Sequence, residues 1–292
     1  MTRILLTAFA LLVTVVHAQP AQALPINSRN WSAPQQFVMG STFPNDGTVK
    51  MSNCSASLVK FKGVADTAPA IVLTNGHCTG GKAFGEHFLK PNEIHNKTQR
   101  SFRMGLLNQE GAQILSILAT EVIYATMSYS DFGLLKLDKT YAELRTLAPG
   151  VEPLVISDVH PKAGLSIQIP SGYWKRTYAC NIEKFVPTLR EAGYIWKDSI
   201  RYSDVGCDTI GGTSGSPILS ADTGEVIGIN NTGNEDGQTC TMNNPCEEDS
   251  NGVQTVSHGA SYGQQTYILY ACLDSNNQFD LNTPGCSLPK GQ

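Results

Sequence analysis

The chain has 292 residues, a formal net charge of −4 and only 16% charged side chains. It has no basic block, which excludes a nucleic-acid surface built on clustered Lys and Arg. No apolar run of spanning length follows the N-terminal segment, which excludes a membrane helix in the body of the chain. With 27 glycines and abundant Ser, Thr and Asn, the composition fits a rigid extracellular β protein better than a helical bundle.

The first predicted element is a secretory signal. Arg3 supplies its positive charge, and Ile4 to Val16 is an apolar run of h-region length. That run is too short to cross a bilayer comfortably, which disfavours an uncleaved anchor. Val16-His17-Ala18 predicts cleavage after Ala18, and Ala21-Gln22-Ala23 predicts it after Ala23. Both alternatives stay open, so the signal is bounded as residues 1–23. The expected product is a secreted monomer with no membrane attachment.

Next, Ser55 to Phe61 and Ala70 to Thr74 read as strands joined by a turn containing Gly, Asp and Pro. Gln113 to Met127 has apolar spacing that fits a helix or a strand equally. Gly133 to Leu137 reads as a strand, and Ser166 to Ile169 alternates cleanly. Pro217 to Ser220 and Glu225 to Ile229 flank the turn Ala221-Asp222-Thr223-Gly224 and predict a hairpin. Many short strands with turn signals predict an all-β barrel or sandwich. The composition breaks near Ala148-Pro149-Gly150, separating 24–148 from 149–270, with 271–292 as a tail.

Eight cysteines, all beyond the signal, imply disulfides in an exported chain. Cys240 and Cys246 enclose a short polar loop, and Cys272 and Cys286 clamp the tail. A zinc site is the competing reading, but there is no Cys-x-x-Cys and no His-x₃-His spacing.

The densest chemical signal is Gly211-Gly212-Thr213-Ser214-Gly215-Ser216-Pro217. A serine between glycines suits a hydroxyl held on a tight turn beside backbone N–H groups, ready to attack a carbonyl. Such clusters also make ordinary turns, so the reading needs answering residues elsewhere. Leu73-Thr74-Asn75-Gly76-His77-Cys78 follows an apolar run, and Ser130-Asp131-Phe132-Gly133 heads a strand. The order His, Asp, Ser differs from that of subtilisins and α/β-hydrolases. From about Cys54 to about Gly233 the chain resembles the trypsin/chymotrypsin-like serine peptidases, most closely their bacterial secreted branch. Asn-Gly-His-Cys and Gly-Thr-Ser-Gly-Ser-Pro are the specific parts of the likeness.

The resemblance implies two packed antiparallel β-barrels with a catalytic cleft between them. His77 and Asp131 would stand on the first barrel and Ser214 on the second. Ser214 is then the expected nucleophile, His77 its general base and Asp131 the group that fixes the imidazole tautomer. The competing readings are a structural histidine for His77 and a strand-cap aspartate for Asp131. Asp138 lies at the far end of the same strand without the Ser-Asp-aliphatic context. The N–H groups of Gly212 and Ser214 are the expected oxyanion hole. Cys54 would pair with Cys78, which leaves Cys180 with Cys207 by elimination. Asn231, Thr232 and Gly233 are the expected edge for the substrate backbone.

Asp208, six residues before Ser214, is expected at the floor of the specificity pocket, pairing with a substrate Arg or Lys. A surface aspartate is the alternative. The glutamate-specific bacterial branch is the rival, and Asn230 in place of its histidine weakens it. Thr213 replaces the aspartate that animal relatives pair with a new N-terminal ammonium, so activity should not depend on such an insertion. Asn234 to Asp249 is acidic enough to consider calcium, though it has no EF-hand pattern and solvated acidic loops are common. No cofactor is otherwise expected. His87, His95, His160 and His258 are read as structural or surface residues. The leading expectation is an endopeptidase acting on protein or peptide substrates, and the runners-up are a catalytically dead binding relative and an esterase.

Overall fold

A computed structural model describes residues 47–80 and 88–291. The signal with its two cleavage sites, and His87, lie outside the described residues. Strands run in the order β1 (Thr48–Lys50), β2 (Ser55–Lys60), β3 (Pro69–Thr74), β4 (Ile94–Leu107), β5 (Gln113–Thr126) and β6 (Phe132–Thr140). Helix α1 (Tyr141–Leu147) and β7 (Leu154–Val155) follow. Then come β8 (Ser166–Ser171), β9 (Arg176–Glu191), β10 (Tyr194–Tyr202), β11 (Pro217–Ser220) and β12 (Val226–Gly233). Last are β13 (Cys246–Glu248), β14 (Gln254–Thr255), β15 (Ser261–Gln265) and a 3₁₀ turn over Tyr267–Cys272.

The protein is all-β apart from these short helical pieces, as the sequence predicts. The first sheet has the order β1-β4-β5-β6-β3-β2-β7, and a β1–β2 pairing closes six of its strands into a ring. The second has the order β10-β15-β12-β11-β8-β9-β13-β14, and a β10–β9 pairing closes a second ring of six. Closure removes the open edges that would otherwise invite pairing with other chains.

The apolar runs of β2, β3 and β6 are continuous because both of their faces are buried. In β6, Leu135 and Leu137 point into the first core. Their neighbours Phe132 and Leu134 point to a second cluster, as a period of two requires. That second cluster also holds Leu219 and Val226 from the second sheet and Leu269, Phe279 and Leu288 from the C-terminal segment. The tail therefore packs across both sheets. Tyr270 reinforces it, donating its hydroxyl to Ile156 O at 2.7 Å and accepting from Lys62 N at 3.0 Å.

Pairing decides the one segment that the sequence leaves open. The ambiguous segment resolves as β5, which pairs with β4 on one side and β6 on the other. After β15 the chain passes through a 3₁₀ turn, Tyr267–Cys272. Helix α1 starts on a capping box in which Thr140 and Glu143 satisfy each other's backbone N–H.

Candidate active site

His77 stands in the loop after β3, and Asp131 immediately precedes β6. These two strands are paired, with Thr74 opposite Gly133, so the loops meet at one end of the first ring. Gly76 makes the approach close. A Cβ there would lie 2.0 Å from Thr126 O, so only glycine lets the loop reach the end of β5. Asp131 is fully buried. Its Oδ2 lies 2.7 Å from His77 Nδ1, and its Oδ1 accepts from His77 N at 3.1 Å. Asn75 Nδ2 donates to Asp131 O at 2.9 Å and fixes the carboxylate's own backbone. Two contacts from one carboxylate set the imidazole's position and turn. The Phe88 ring stands edge-on to His77, with centroids 5.9 Å apart.

Ser214 stands on the second ring, just before β11. Its Oγ donates to Asn231 O at 3.2 Å, not to the imidazole. Its backbone is tied in place: Ser55 N donates to Ser214 O at 2.8 Å, and Gly215 N donates to Asn230 O at 3.0 Å. Ahead of it, Thr213 N donates to Ile210 O at 2.9 Å, closing a turn with Gly212 at φ +90°. A positive φ at the third position alone is the type II turn, which needs glycine there. The N–H groups of Gly212 and Ser214 have no acceptor among the described residues. Thr213 is buried, and its Oγ1 lies 3.3 Å from Tyr178 OH. A neutral hydroxyl pair thus satisfies this buried side chain.

His77, Asp131 and Ser214 line one cavity of about 290 Å³, together with Gly212, Asn231, Thr232 and Gly233. β12 pairs with β11 up to Ile229 and with β15 up to Gly233. Beyond Asn230 its cavity-side edge pairs with no other strand among the described residues. Asp208 is a correction to the sequence reading. It is exposed and does not line the cavity, whereas its neighbours Thr209 and Ile210 do. Cys207 is buried and bonded to Cys180, and this anchor leaves the next side chain facing outward.

Among the described residues the cavity's carboxylates are instead Asp131, Glu191 and Glu235, and none of the described Lys or Arg side chains lines it. Glu191 was not visible as a site residue in the sequence. It ends β9 at a two-residue turn, with Ala192 and Gly193 both at positive φ and Tyr194 opposite Glu191. Its Oε2 accepts from Thr232 Oγ1 at 2.7 Å and its Oε1 from Asn243 N at 2.8 Å. Burial pushes its carboxyl upward, only partly offset by those donors. Burial and the neighbouring Asp236 charge likewise push Glu235 up.

Burial disfavours the His77 imidazolium, but the charge and hydrogen bond of Asp131, with a contribution from Glu191, outweigh it. The net shift is upward from the ordinary 6.5. A raised pKa keeps the imidazole protonated to higher pH, and a general base must be unprotonated. The acid limb of kcat/KM should accordingly have its midpoint above 6.5. A profile of kcat/KM against pH checks this, and a midpoint below that value would contradict it.

Four disulfides are formed: Cys54–Cys78, Cys180–Cys207, Cys240–Cys246 and Cys272–Cys286. Among the described residues one group of side chains has metal-ligand spacing, Cys54, His77 and Cys78, and its two cysteines are bonded to each other. In the acidic stretch, Glu247 pairs with Lys184 and Arg201, and Glu248 with Arg190. Asp249 accepts from Asn251 N and Val253 N. His160 has a partner the sequence did not reveal, Asp198 at 3.0 Å.

A family model described as a trypsin-like peptidase domain matches residues 54–229. No curated protein matches the chain. Similar solved structures include the active form of the Rv3671c protease from M. tuberculosis. It is 13% identical, with 83% of this chain and 86% of that chain covered and a TM-score of 0.47. The MamO protease domain from Magnetospirillum magneticum is 13% identical, covering 80% and 98%, with a TM-score of 0.47. Protease A of Thermobifida fusca is 16% identical, covering 75% and 90%, with a TM-score of 0.41.

Proposed function

The chain belongs to the trypsin-like peptidase family and is a serine endopeptidase, and from that premise we propose that Ser214, His77 and Asp131 carry an acyl-enzyme mechanism in an exported protein. The observation that carries the assignment is the 2.7 Å contact of buried Asp131 with His77 Nδ1. It leaves Nε2 without a partner among the described residues, in a cavity that Ser214 also lines.

In this reading a peptide enters extended along Asn231 to Gly233. Rotation about χ1 turns the Ser214 hydroxyl from Asn231 O to His77. Nε2 takes the Ser214 proton as Oγ bonds to the scissile carbonyl carbon. The carbonyl oxygen becomes an oxyanion and accepts from Gly212 N and Ser214 N. His77 then passes its proton to the leaving amine as the C–N bond breaks, and an ester to Ser214 remains. Water then attacks the ester carbonyl carbon, giving its proton to His77, which returns it to Ser214 Oγ as the acyl C–O bond breaks, and the free acid leaves. Asp131 holds the imidazole in the tautomer with Nε2 open and stabilises the imidazolium. The chain supplies every group these steps require, so the mechanism needs no cofactor.

For specificity we propose that basic substrate side chains are favoured, with Glu191 and Glu235 supplying the attraction that Asp208 does not. The three carboxylates that line the cavity, Asp131, Glu191 and Glu235, support this reading. Export is supported by four disulfides, which persist in oxidising compartments. Among the described residues no helix is long and apolar enough to cross a membrane.

The deciding experiment has two arms. A phosphonyl probe should label the protein at Ser214, whereas a dead relative acting only as a binder would stay unlabelled. Fluorogenic peptides varied around the cut should show preference for Arg or Lys at a position seated in the cavity. Cleavage confined to peptides with Glu or small apolar residues there would overturn the specificity.

A further inference from the structure

We propose that Trp174 is a positioning residue for the oxyanion hole, its indole N–H holding the Gly211–Gly212 peptide with the Gly212 N–H turned into the cavity. The inference rests on the proposed catalytic reading of the site. Its starting point is the turn Ile210 to Thr213. A turn closed by the same Thr213 N to Ile210 O bond can have its central peptide in either of two orientations, related by a flip. In one, the Gly212 N–H faces a substrate oxyanion. In the other, the Gly211 carbonyl faces it, and an acceptor stands where a donor is needed. In a trans peptide the C=O and N–H point in opposite directions, so whatever holds the carbonyl outside also aims the N–H inside.

Trp174 Nε1 donates to Gly211 O at 2.8 Å. The next peptide is held as well: Ser55 Oγ donates to Gly212 O at 3.0 Å. The rings also close over the turn. A Cβ on Gly212 would lie 2.8 Å from Tyr173 Cδ1 and 3.1 Å from Trp174 Nε1. Tyr173 and Trp174 themselves meet edge to face at 5.1 Å.

The clamp is anchored from beneath. Ser55 Oγ accepts from Tyr173 N at 3.1 Å, and Ser171 Oγ accepts from Trp174 N at 3.2 Å. The two hydroxyls are 2.9 Å apart. Ser55 has one proton, and Gly212 O takes it, so Ser171 must donate to Ser55. Each hydroxyl proton then has a single place to go. Thr213 cannot form an ion pair with an N-terminal ammonium, and its hydroxyl meets Tyr178 instead. The indole and the two serines supply, from within the folded chain, the restraint that such an ion pair would provide.

The test uses the mature protein with Trp174→Phe, which keeps an aromatic ring and removes the donor. The expected result is about a tenfold fall in kcat with KM little changed. The affinity for a peptide aldehyde, whose tetrahedral adduct fills the oxyanion hole, should fall in the same proportion. Trp174→His, which keeps a ring N–H, should recover part of both losses. Ser55→Ala should show the same pattern through the second clamp. Wild-type kcat and aldehyde affinity in Trp174→Phe would overturn the inference, and so would a change confined to KM. A wild-type protein that a phosphonyl probe fails to label at Ser214 would instead refute the catalytic reading itself. A labelled wild type with an unaffected Trp174→Phe refutes this inference alone.

Discussion

Ser214→Ala should leave a folded protein whose kcat on a peptide amide is lower by about a millionfold. The loss is large because the remaining groups act only through this oxygen. His77 has no proton to take, and the two free N–H groups have no tetrahedral adduct to hold. The structural cost is small. Among the described residues the hydroxyl makes one hydrogen bond, to Asn231 O, worth about 1 kcal/mol net against a typical stability of about 5–15 kcal/mol. The backbone ties of Ser214, through its own O and the N of Gly215, do not involve the side chain. Turnover and thermal midpoint measured on one preparation separate the two effects. Retained amidase activity would place the nucleophile elsewhere.

Asp131→Asn should lower kcat by about ten-thousandfold while the protein still binds substrate. The amide is nearly isosteric, and the Asn75 contact is to the backbone oxygen. The chemistry changes because an amide Nδ2 donates where the carboxylate accepted. That favours a proton on Nε2, the wrong tautomer for taking one from Ser214. The His77 pKa should fall too, since Asp131 supplies the charge and hydrogen bond that outweigh burial. Imidazole titration followed by NMR, alongside kcat over a pH series, tests both statements. Asp138 lies at the other end of β6 beside Lys139, and Asp138→Asn is the control that should change neither. A loss below tenfold in Asp131→Asn would give the orienting role to another group.

What the sequence made legible was local. The runs in β2 and β3 and the hairpin of β11 and β12 carry their own apolar pattern and turn residues. The segments around His77, Asp131 and Ser214 each identify themselves by short-range context. What stayed hidden depended on partners distant in the chain. The first half of β4 has no buried side chain, so it lacks an apolar stripe, and its strand character comes from pairing with β5. That pairing also decides β5, whose spacing alone fits two structures. Glu191 reaches Thr232 across 41 residues because a tight turn ends β9 at that point, and no local pattern signals such a meeting. Asp208 failed for the converse reason. Counting back from Ser214 fixes a position along the chain but not the direction of a side chain, and the bonded Cys207 beside it sets that direction.

The Cys54–Cys78 bond has a bearing on when this chemistry can begin. Cys54 adjoins Ser55, which pins the oxyanion turn, and Cys78 adjoins His77, which moves the protons. One covalent link thus steadies both instruments of the reaction at once. In a reducing cytosol thiols stay unjoined, so on the export route proposed above the chain would be without that link until it had left. The hydrolytic machinery would gain its full rigidity only in an oxidising compartment.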